Sequence, residues 1–465
     1  MAASLLNFLQ NYTAGWQNSG DLSGIDYTRL SIDSRTISAG DLFLALTGDR
    51  YDGHDFVRSA ADNGAAAVVI AKNRFAEFAR DLAVPVLAVE DPLNFLQQLA
   101  GWHRRRFSIP VLAITGSAGK TTTRRMICDV LAGHFQAACS EGNQNNHIGV
   151  PLSLLKISER TAVGVFELGS NHPGEIPRLA EGVQPTLGLV TNIGKGHLGN
   201  FGGMEAVYRE KISLLEAIPA GGQLFINAED PRLKKYQRDD VTCLRVGLTP
   251  RCDVFAESIQ MVRTGCFHYL LQGREAVTLQ VPGRHQIMNS LLAAAVGIHF
   301  GLELSDIGRA LSSFRAEKQR MRIIEKNGVV VIDDSYNASP DSTAAAIRFL
   351  NELPAGDGRK IFVFGDMLEL GTFSTAEHRS VGEQLSETDI DIILLYGEET
   401  RATLEAFIGR GGSPKKCRHY DTHSSLAKAL REMLKSGDRL LIKGSRGMKM
   451  ETVLNHLMPE QKNAG

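Results

Sequence analysis

The stretch VLAITGSAGKTTTRRM, residues 111 to 126, constrains the fold more than any other part of this chain. An apolar run ends in a glycine-bounded turn, and Lys-Thr-Thr opens a segment that can form a helix. Such a strand–loop–helix unit binds phosphate, because glycines let backbone amides turn inward at the positive end of a helix dipole. Ile114 stands where the longer P-loop, G-x-x-x-x-G-K-[ST], has its first glycine, so this loop is a shortened form.

We predict that the loop binds a nucleotide. Lys120 can reach the terminal phosphates, and the Thr121 hydroxyl can bind Mg²⁺. The predicted nucleotide-binding residues of the loop are Gly116, Ser117, Ala118, Gly119, Lys120, Thr121 and Thr122.

The chain alternates apolar strand-like runs with helical segments, which predicts an α/β protein of three domains. Residues 1–106 hold short strands and helices. Residues 107–314 predict a parallel sheet around the phosphate loop, with an antiparallel annex from 253 to 283. Residues 315–465 begin a second, Rossmann-like series of strands and helices.

Composition narrows the class of protein. The formal net charge of −1 gives no support to bulk electrostatic binding of nucleic acid or of an anionic membrane. Six cysteines without a C-x-x-C pair argue against a zinc site and against a disulfide framework, and they fit a reducing cytosol. The N-terminus has no signal-peptide pattern, and no apolar run reaches the roughly 18 residues of a membrane span, so a cytoplasmic location is expected.

Polar clusters follow four predicted strands of the third domain. They read DDSYNASPD, GDMLELG, YGEE and KGSRG. The carboxyl ends of parallel strands form the edge at which open α/β sheets bind ligands. The alternative is that these residues only cap the helices that follow.

Lys211 falls on the apolar face of a predicted helix, MEAVYREKISLLEAI, because it continues the i, i+3, i+4, i+7 spacing of the apolar residues. A lysine on that face must snorkel, pair with an anion or lose its charge. Desolvation lowers the pKa of a lysine, and a neutral amine can add CO₂ to form an anionic carbamate.

Several motifs together resemble the Mur ligase family, the ATP-dependent amide-forming enzymes of peptidoglycan synthesis. The family uses the short loop T-G-x-x-G-K-[ST], seen here as TGSAGKTTT. The matching motifs are GNQNNHIGVPLSLL, FELGSNHPGEI, TNIGKGHLGNFG, DDSYNASPDS, GDMLELG and KGSRGMKME. Within the family they resemble the members that add D-alanyl-D-alanine to UDP-N-acetylmuramoyl-tripeptide through an acyl phosphate. The resemblance implies ATP and Mg²⁺ as cofactors, and we expect a monomer.

The resemblance also implies roles for individual residues. Glu167, His197 and a carbamylated Lys211 join Thr121 around two Mg²⁺ ions. Arg320 crosses from the third domain to the ATP phosphates, and Asn289 and Asp334 contact the nucleotide. Two departures from the family pattern are Gln286, where an asparagine is usual, and Gln319, where a glycine is usual.

The remaining implied residues would bind the two substrates. The segment DSRTISAGDLFLALTG matches the part of the family that binds the uridine diphosphate end. The predicted substrate residues are Ser34, Arg35, Asn145, Asn146 and His172 for the UDP-muramoyl-peptide, and Asn337, Lys443 and Arg446 for the dipeptide.

Three alternatives stay open from the sequence. A sister ligase would add a single amino acid, such as diaminopimelate or lysine. A folylpolyglutamate synthase shares two of the domains but would not need the N-terminal one. A nucleotide-binding switch module would carry the phosphate loop without a second substrate.

Overall fold

The computed structural model describes residues 4–48, 50–262, 265–354 and 358–457. The chain forms two compact units. The first contains residues 1–113, 135–169 and 176–187, and the second contains residues 114–134, 170–175 and 188–465. None of the described helices is long and apolar enough to cross a membrane.

The N-terminal part is built on a five-stranded sheet of order β1-β5-β4-β3-β2, in which only β1 is antiparallel to its neighbour. A core that includes Phe43, Val68 and Phe78 fills one side of it. The strands are β1 (Trp16–Ser19), β2 (Leu30–Ser31), β3 (Leu42–Leu44), β4 (Ala67–Ala71) and β5 (Val86–Val89). The helices are α1 (Leu5–Leu9), α2 (Val57–Asp62), α3 (Phe75–Phe78) and α4 (Pro92–Arg104).

The central part is a nine-stranded sheet of order β14-β13-β12-β11-β10-β9-β6-β8-β7. Its strands are β6 (Val111–Thr115), β7 (Ala137–Cys139), β8 (Val163–Glu167), β9 (Leu187–Val190), β10 (Gln223–Asn227), β11 (Thr242–Gly247), β12 (Val254–Met261), β13 (Phe267–Leu271) and β14 (Glu275–Thr278). Its helices are α5 (Lys120–Ala132), α6 (Gly149–Leu154), α7 (Glu175–Val183), α8 (Leu198–Phe201), α9 (Met204–Glu216), α10 (His285–His299) and α11 (Leu304–Ser313).

Two sequence-based expectations for this part can be compared with the structure. The antiparallel annex is confirmed, because β12, β13 and β14 pair antiparallel to one another. The expectation of a chain without a disulfide framework does not hold for Cys128 or for Cys139, each of which is disulfide-bonded.

The C-terminal part is a six-stranded sheet of order β15-β16-β20-β17-β18-β19, with only β15 antiparallel. The strands are β15 (Arg322–Lys326), β16 (Val329–Asp334), β17 (Lys360–Gly365), β18 (Ile392–Tyr396), β19 (Cys417–Tyr420) and β20 (Arg439–Lys443). The helices are α12 (Pro340–Glu352), α13 (Ser374–Ser386), α14 (Thr400–Gly409), α15 (His423–Met433) and α16 (Glu451–Leu457).

Strand β17 shows why this sheet is buried on both faces. Phe362 and Phe364 pack with residues of α12, α13 and α14, whereas Ile361 and Val363 pack with residues of α15 and α16. The helix after β17 and the helix after β20 therefore lie on opposite faces. In open α/β sheets the point where connections diverge in this way opens a ligand crevice at the carboxyl ends of the strands.

Candidate active site

The phosphate loop lies between β6 and α5, as the sequence predicts. Gly116 has φ +143° and Gly119 has φ +81°, so both occupy backbone conformations that disfavour other residues. Lys120 is the first residue of α5, and its Nζ donates to the carbonyl oxygen of Gly116 at 2.7 Å. The amine is thus folded back over the loop.

The segment after β9 holds the loop in shape. The Ser117 amide donates to the carbonyl oxygen of Asn192 at 3.0 Å, and the Ala118 amide donates to Asn192 Oδ1 at 3.0 Å. Thr191 Oγ1 donates to the Ala118 carbonyl oxygen at 2.6 Å. A side-chain carbon at Gly116 would lie 2.0 Å from that same Thr191 oxygen, so the loop has no room there. The TNIG motif contributes to the family resemblance, but no pattern in the sequence predicts these roles for Thr191 and Asn192.

The Gln286 departure has a local explanation in helix α10. Asn289 Nδ2 donates to Gln286 Oε1 at 2.8 Å, one helical turn away, and both side chains are buried. Asn289 Oδ1 in turn accepts from Thr123 Oγ1 at 3.2 Å on α5. Gln286 therefore orients the amide of Asn289 beside the phosphate loop. The contact of Asn289 with nucleotide stays a prediction.

Glu167 ends strand β8 and is almost fully buried, with 1% of its surface exposed. Its Oε1 accepts from Asn145 Nδ2 at 2.8 Å, and its backbone amide donates to Ser140 Oγ at 3.1 Å. The structure thus brings together one predicted metal ligand and one predicted substrate residue. Asn146 has a local structural partner instead, because its Oδ1 accepts from the Gly149 amide at the start of α6.

Lys211 is buried on helix α9, with 1% of its surface exposed. Its Nζ donates to Ser170 Oγ at 2.6 Å and lies 5.7 Å from the centre of the Phe201 ring. Burial, and after it the positive charge of Lys120, lowers the pKa of Lys211 to about 7. The amine of Lys211 does not snorkel to the surface, which was one of the outcomes open from the sequence. Its lowered pKa instead favours loss of the charge near neutral pH.

His197 precedes helix α8 and has φ +55°, a left-handed backbone conformation. Its Nδ1 pairs with the carboxylate of Glu369, which belongs to the GDMLELG motif after β17. His172 lies on an exposed loop, with its Nδ1 3.5 Å from Glu175 Oε1. Among the described residues, no three histidine, cysteine, aspartate or glutamate side chains group together as metal ligands do.

Arg320 lies in the segment that leads into the C-terminal sheet. Its guanidinium carbon lies 3.8 Å from the centre of the Tyr336 ring, and its Nε lies 3.4 Å from Glu317 Oε2. Gln319 has φ +65°, and its Oε1 accepts from Arg446 Nη1 at 3.3 Å. The backbone at Gln319 therefore keeps the conformation that a glycine would favour, although the residue is not glycine.

The predicted dipeptide residues meet at the carboxyl ends of β16 and β20. Lys443 is 2% exposed, and its Nζ donates to Asp334 Oδ2 at 2.5 Å and to the Asn337 carbonyl oxygen at 3.1 Å. The Arg446 amide donates to Asn337 Oδ1 at 3.3 Å, and its guanidinium is exposed. Arg446 is thus the more accessible of the two cations.

Ser34 and Arg35 belong to a short 3-10 turn of the N-terminal part. Ser34 is buried and its carbonyl oxygen accepts from Asn63 Nδ2 at 2.9 Å. Arg35 is exposed. Its guanidinium donates two hydrogen bonds to the carboxylate of Asp33, from Nε to Oδ1 at 2.9 Å and from Nη2 to Oδ2 at 2.7 Å. These bonds, with that of the Arg35 amide, lower the pKa of Asp33 to about 2, so the carboxylate is charged at neutral pH.

Three family descriptions match the chain in succession. Residues 26–104 match the catalytic domain of the Mur ligase family, residues 114–297 match the Mur ligase middle domain, and residues 319–446 match the glutamate ligase domain of Mur ligases.

Curated relatives match along nearly the whole length. The UDP-N-acetylmuramoyl-tripeptide–D-alanyl-D-alanine ligase of Bacillus subtilis is 34% identical over 92% of this chain and 93% of its own. The enzyme of the same name from Escherichia coli is 33% identical over 94% of this chain and 96% of its own.

Solved structures agree with these matches. MurF from Acinetobacter baumannii superposes with a TM-score of 0.83 at 31% identity, covering 98% of each chain. MurF from Thermotoga maritima, solved in complex with ADP, has a TM-score of 0.79 at 28% identity over 92% of this chain and 96% of its own. Identity above 30% along nearly the whole chain, together with the phosphate loop and the α/β sheets, shows that the protein belongs to the Mur ligase family.

Proposed function

We propose that this chain is an ATP-dependent ligase that joins D-alanyl-D-alanine to UDP-N-acetylmuramoyl-tripeptide in peptidoglycan precursor synthesis. The observation that carries the proposal is the short phosphate loop, in which Lys120 Nζ lies 2.7 Å from the Gly116 carbonyl oxygen. The curated relatives of the chain bear the same activity in their names. The proposed reaction has two steps. The peptide carboxylate attacks the γ-phosphorus of ATP, which releases ADP and leaves an acyl phosphate. The dipeptide amine then attacks the acyl carbon, and phosphate leaves.

The main barrier to the first step is the approach of a carboxylate to a triphosphate. Lys120 offsets this repulsion as a positive charge at the phosphate loop, and Arg320 adds a second from the segment before the C-terminal sheet. The Tyr336 ring, 3.8 Å from the Arg320 guanidinium carbon, keeps that planar group oriented. The contacts proposed for Asn289 and Asp334 orient the nucleotide.

The donor set fits Mg²⁺ in part, since this ion prefers oxygen ligands. Thr121 offers a hydroxyl and Glu167 a buried carboxylate, and His197 is assigned from the family pattern. When bound, Mg²⁺ would neutralise phosphate charge. Lys211, with its pKa lowered to about 7, can react as a neutral amine with CO₂ to give a carbamate and one proton, which would supply further oxygens.

Two groups of residues would bind the substrates. We assign Ser34 and Arg35 to the diphosphate, because an arginine fork suits its oxygens. The muramoyl-peptide is assigned to Asn145, Asn146 and His172, and the dipeptide to Asn337, Lys443 and Arg446. Since Lys443 is buried against Asp334, the exposed Arg446 is the better placed to meet the dipeptide carboxylate.

The three-domain division at 1–106, 107–314 and 315–465 is part of this proposal and is supported by the three successive family matches. We also propose a cytoplasmic monomer without a nucleic-acid partner, in keeping with the balanced charge.

The test is phosphate release from ATP with three sets of substrates: UDP-N-acetylmuramoyl-tripeptide with D-alanyl-D-alanine, UDP-N-acetylmuramoyl-L-alanyl-D-glutamate with diaminopimelate or lysine, and the tripeptide alone. We expect release that needs the dipeptide, one ADP per product, and a product mass equal to the two substrates minus water. Release that needs UDP-N-acetylmuramoyl-L-alanyl-D-glutamate together with diaminopimelate or lysine would assign the sister activity, and release that depends on none of these substrates would refute a ligase.

The carbamate has its own test. Protein equilibrated with ¹³C-bicarbonate should show a carbamate carbon resonance that is absent from Lys211→Ala. An exposed lysine offers the matched control, so Lys156→Ala should keep the resonance. A resonance of equal strength in all three proteins would remove Lys211 from the proposal.

A further inference from the structure

The segment after β9 contacts the phosphate loop on one side. Ser117 Oγ donates to the Gly194 carbonyl oxygen at 2.9 Å and accepts from the Gly194 amide at 2.8 Å. One hydroxyl of the loop therefore binds both the donor and the acceptor of a single peptide segment. The position of Gly194 is fixed relative to the loop that would hold the nucleotide phosphates.

The next residue contacts the C-terminal sheet and its helices. The Lys195 amide donates to Asp341 Oδ2 at 2.5 Å, and Asp341 lies in the first turn of α12. Lys195 Nζ donates to Glu377 Oε1 at 2.6 Å, and Glu377 lies in the first turn of α13. The side chain of Glu377 is 12% exposed and that of Lys195 is 39% exposed, so the pair lies at the surface with its acidic partner shielded from solvent.

The same segment makes a second backbone contact a few residues later. The Gly199 amide donates to the Glu369 carbonyl oxygen at 3.0 Å. A side-chain carbon at Gly199 would lie 2.4 Å from the Gly371 amide nitrogen, so the two backbones are in direct contact. Residues 192–199 thus join the phosphate loop to α12, α13 and the GDMLELG motif through consecutive contacts.

We propose that Lys195 is a positioning residue, which holds the C-terminal α/β part in register with the phosphate loop by pairing with Glu377. Lys195 touches no reactant. Its effect on the reaction is indirect. The C-terminal part contains the proposed dipeptide residues, and the phosphate loop would bind the phosphates of ATP, so the Lys195 contact sets the distance between the two substrates. The inference rests on the proposed ligase activity for its kinetic consequence, but the contact itself can be measured without any substrate.

The experiment is a double-mutant cycle with Lys195→Ala, Glu377→Ala and the double variant. Glu383, on the same helix α13, forms a matched control pair with Arg410, which directly follows α14. Glu383 Oε1 is 3.1 Å from Arg410 Nη2, and both partners belong to the C-terminal part. The control variants are Glu383→Ala and Arg410→Ala. Thermal unfolding of every variant checks that the chain is folded.

For the kinetics, either single change at 195 or 377 should raise the KM for the dipeptide by roughly two- to fivefold, the range expected for an ion pair of this exposure. The KM for ATP should stay unchanged. The double variant should have a KM for the dipeptide no higher than that of either single variant, and Lys195→Arg should have a KM close to that of the parent. Additive effects, equal changes in both KM values, or no more effect than the control pair would each overturn the proposal.

The second measurement needs no activity. Hydrogen exchange of the amides in residues 192–201 should become faster in Lys195→Ala and Glu377→Ala than in the parent, and it should be unchanged in the control variants. Unchanged exchange in all variants would refute the docking role. A parent that forms no dipeptide product, yet shows the expected exchange, would refute the proposed activity and leave the docking contact standing.

Discussion

Gly116 offers the sharpest test of the phosphate-loop geometry, because its surroundings leave no room for a side chain. Its φ of +143° lies in a region that only glycine adopts without strain. In Gly116→Ala the new carbon would lie 2.0 Å from Thr191 Oγ1 and 3.1 Å from the amide nitrogens of Thr191 and Asn192. Rotation of Thr191 would relieve the first contact but not the other two.

The magnitude follows from these two costs. The backbone conformation costs on the order of 1–3 kcal/mol for a non-glycine residue. Rotating Thr191 also breaks its 2.6 Å hydrogen bond to the Ala118 carbonyl oxygen, which is worth roughly 0.5–1.5 kcal/mol. We therefore expect Gly116→Ala to lower the free energy of unfolding by about 2–4 kcal/mol. For a folding unit of roughly 200 residues that corresponds to a melting temperature about 5–15 °C lower.

The assay is thermal unfolding together with nucleotide binding, and the control is Gly133→Ala at the other end of the same helix α5. Gly133 has φ −76°, and a side-chain carbon added there would have nothing within 4 Å, so alanine should be neutral or slightly stabilising. Gly116→Ala should also bind ATP at least roughly tenfold more weakly, because one charge-assisted amide contact to phosphate is worth that much. A Gly116→Ala protein as stable as Gly133→Ala, with parental nucleotide affinity, would refute this geometry of the loop.

Three further outcomes are expected. Lys120→Ala should lower kcat on the order of a hundredfold or more while the protein stays folded, measured by ADP release; a parental rate would remove Lys120 from the reaction. The pKa of Lys211 is about 7 in the folded protein and roughly 10.4 in an unfolded chain. Between these two values the unfolded chain binds one proton more than the folded chain, so the free energy of unfolding of the parent rises from about pH 7 to about pH 10. In CO₂-free buffer, Lys211→Met should therefore stabilise the protein more at pH 6 than at pH 9 in urea unfolding, whereas the exposed Lys156→Met should show no such trend. Gln319→Gly should be about 0.5–1 kcal/mol more stable than Gln319→Ala, since only alanine keeps the strain of φ +65°; equal stabilities would contradict that strain.

Local pattern was enough to predict much of the fold. The strand before Gly116, the antiparallel annex from 253 to 283 and the strand at 360–365 all carry their own periodicity and turn residues, and all are present. The short strand β19, Cys417–Tyr420, was not predicted, because its sequence CRHY has neither a long apolar run nor clear alternation. Its pairing with β18 depends on partners that are distant in sequence.

Contacts between residues that are distant in sequence were also not predicted in the candidate site. Lys211 could be placed on a buried face from spacing alone, but its partner Ser170 lies 41 residues away and gave no signal. The contact of Lys195 with Asp341 joins residues 146 apart, and its existence depends on how the C-terminal sheet docks. Functional residues that lie in one contiguous motif can therefore be predicted from the sequence. Contacts between two elements that are distant in sequence form only when those elements pack, and the sequence does not predict them.

The ion pair between the buried Lys443 and the half-buried Asp334 has a consequence for engineering this protein. An ion pair that is largely removed from water is often no more stabilising than two well-packed apolar side chains of similar volume. Variants of positions 334 and 443 selected only for heat resistance should therefore converge on apolar combinations, whereas selection for growth that depends on the enzyme should retain both charges. The carboxyl edge of this sheet is a place where thermostability and turnover would be selected in opposite directions.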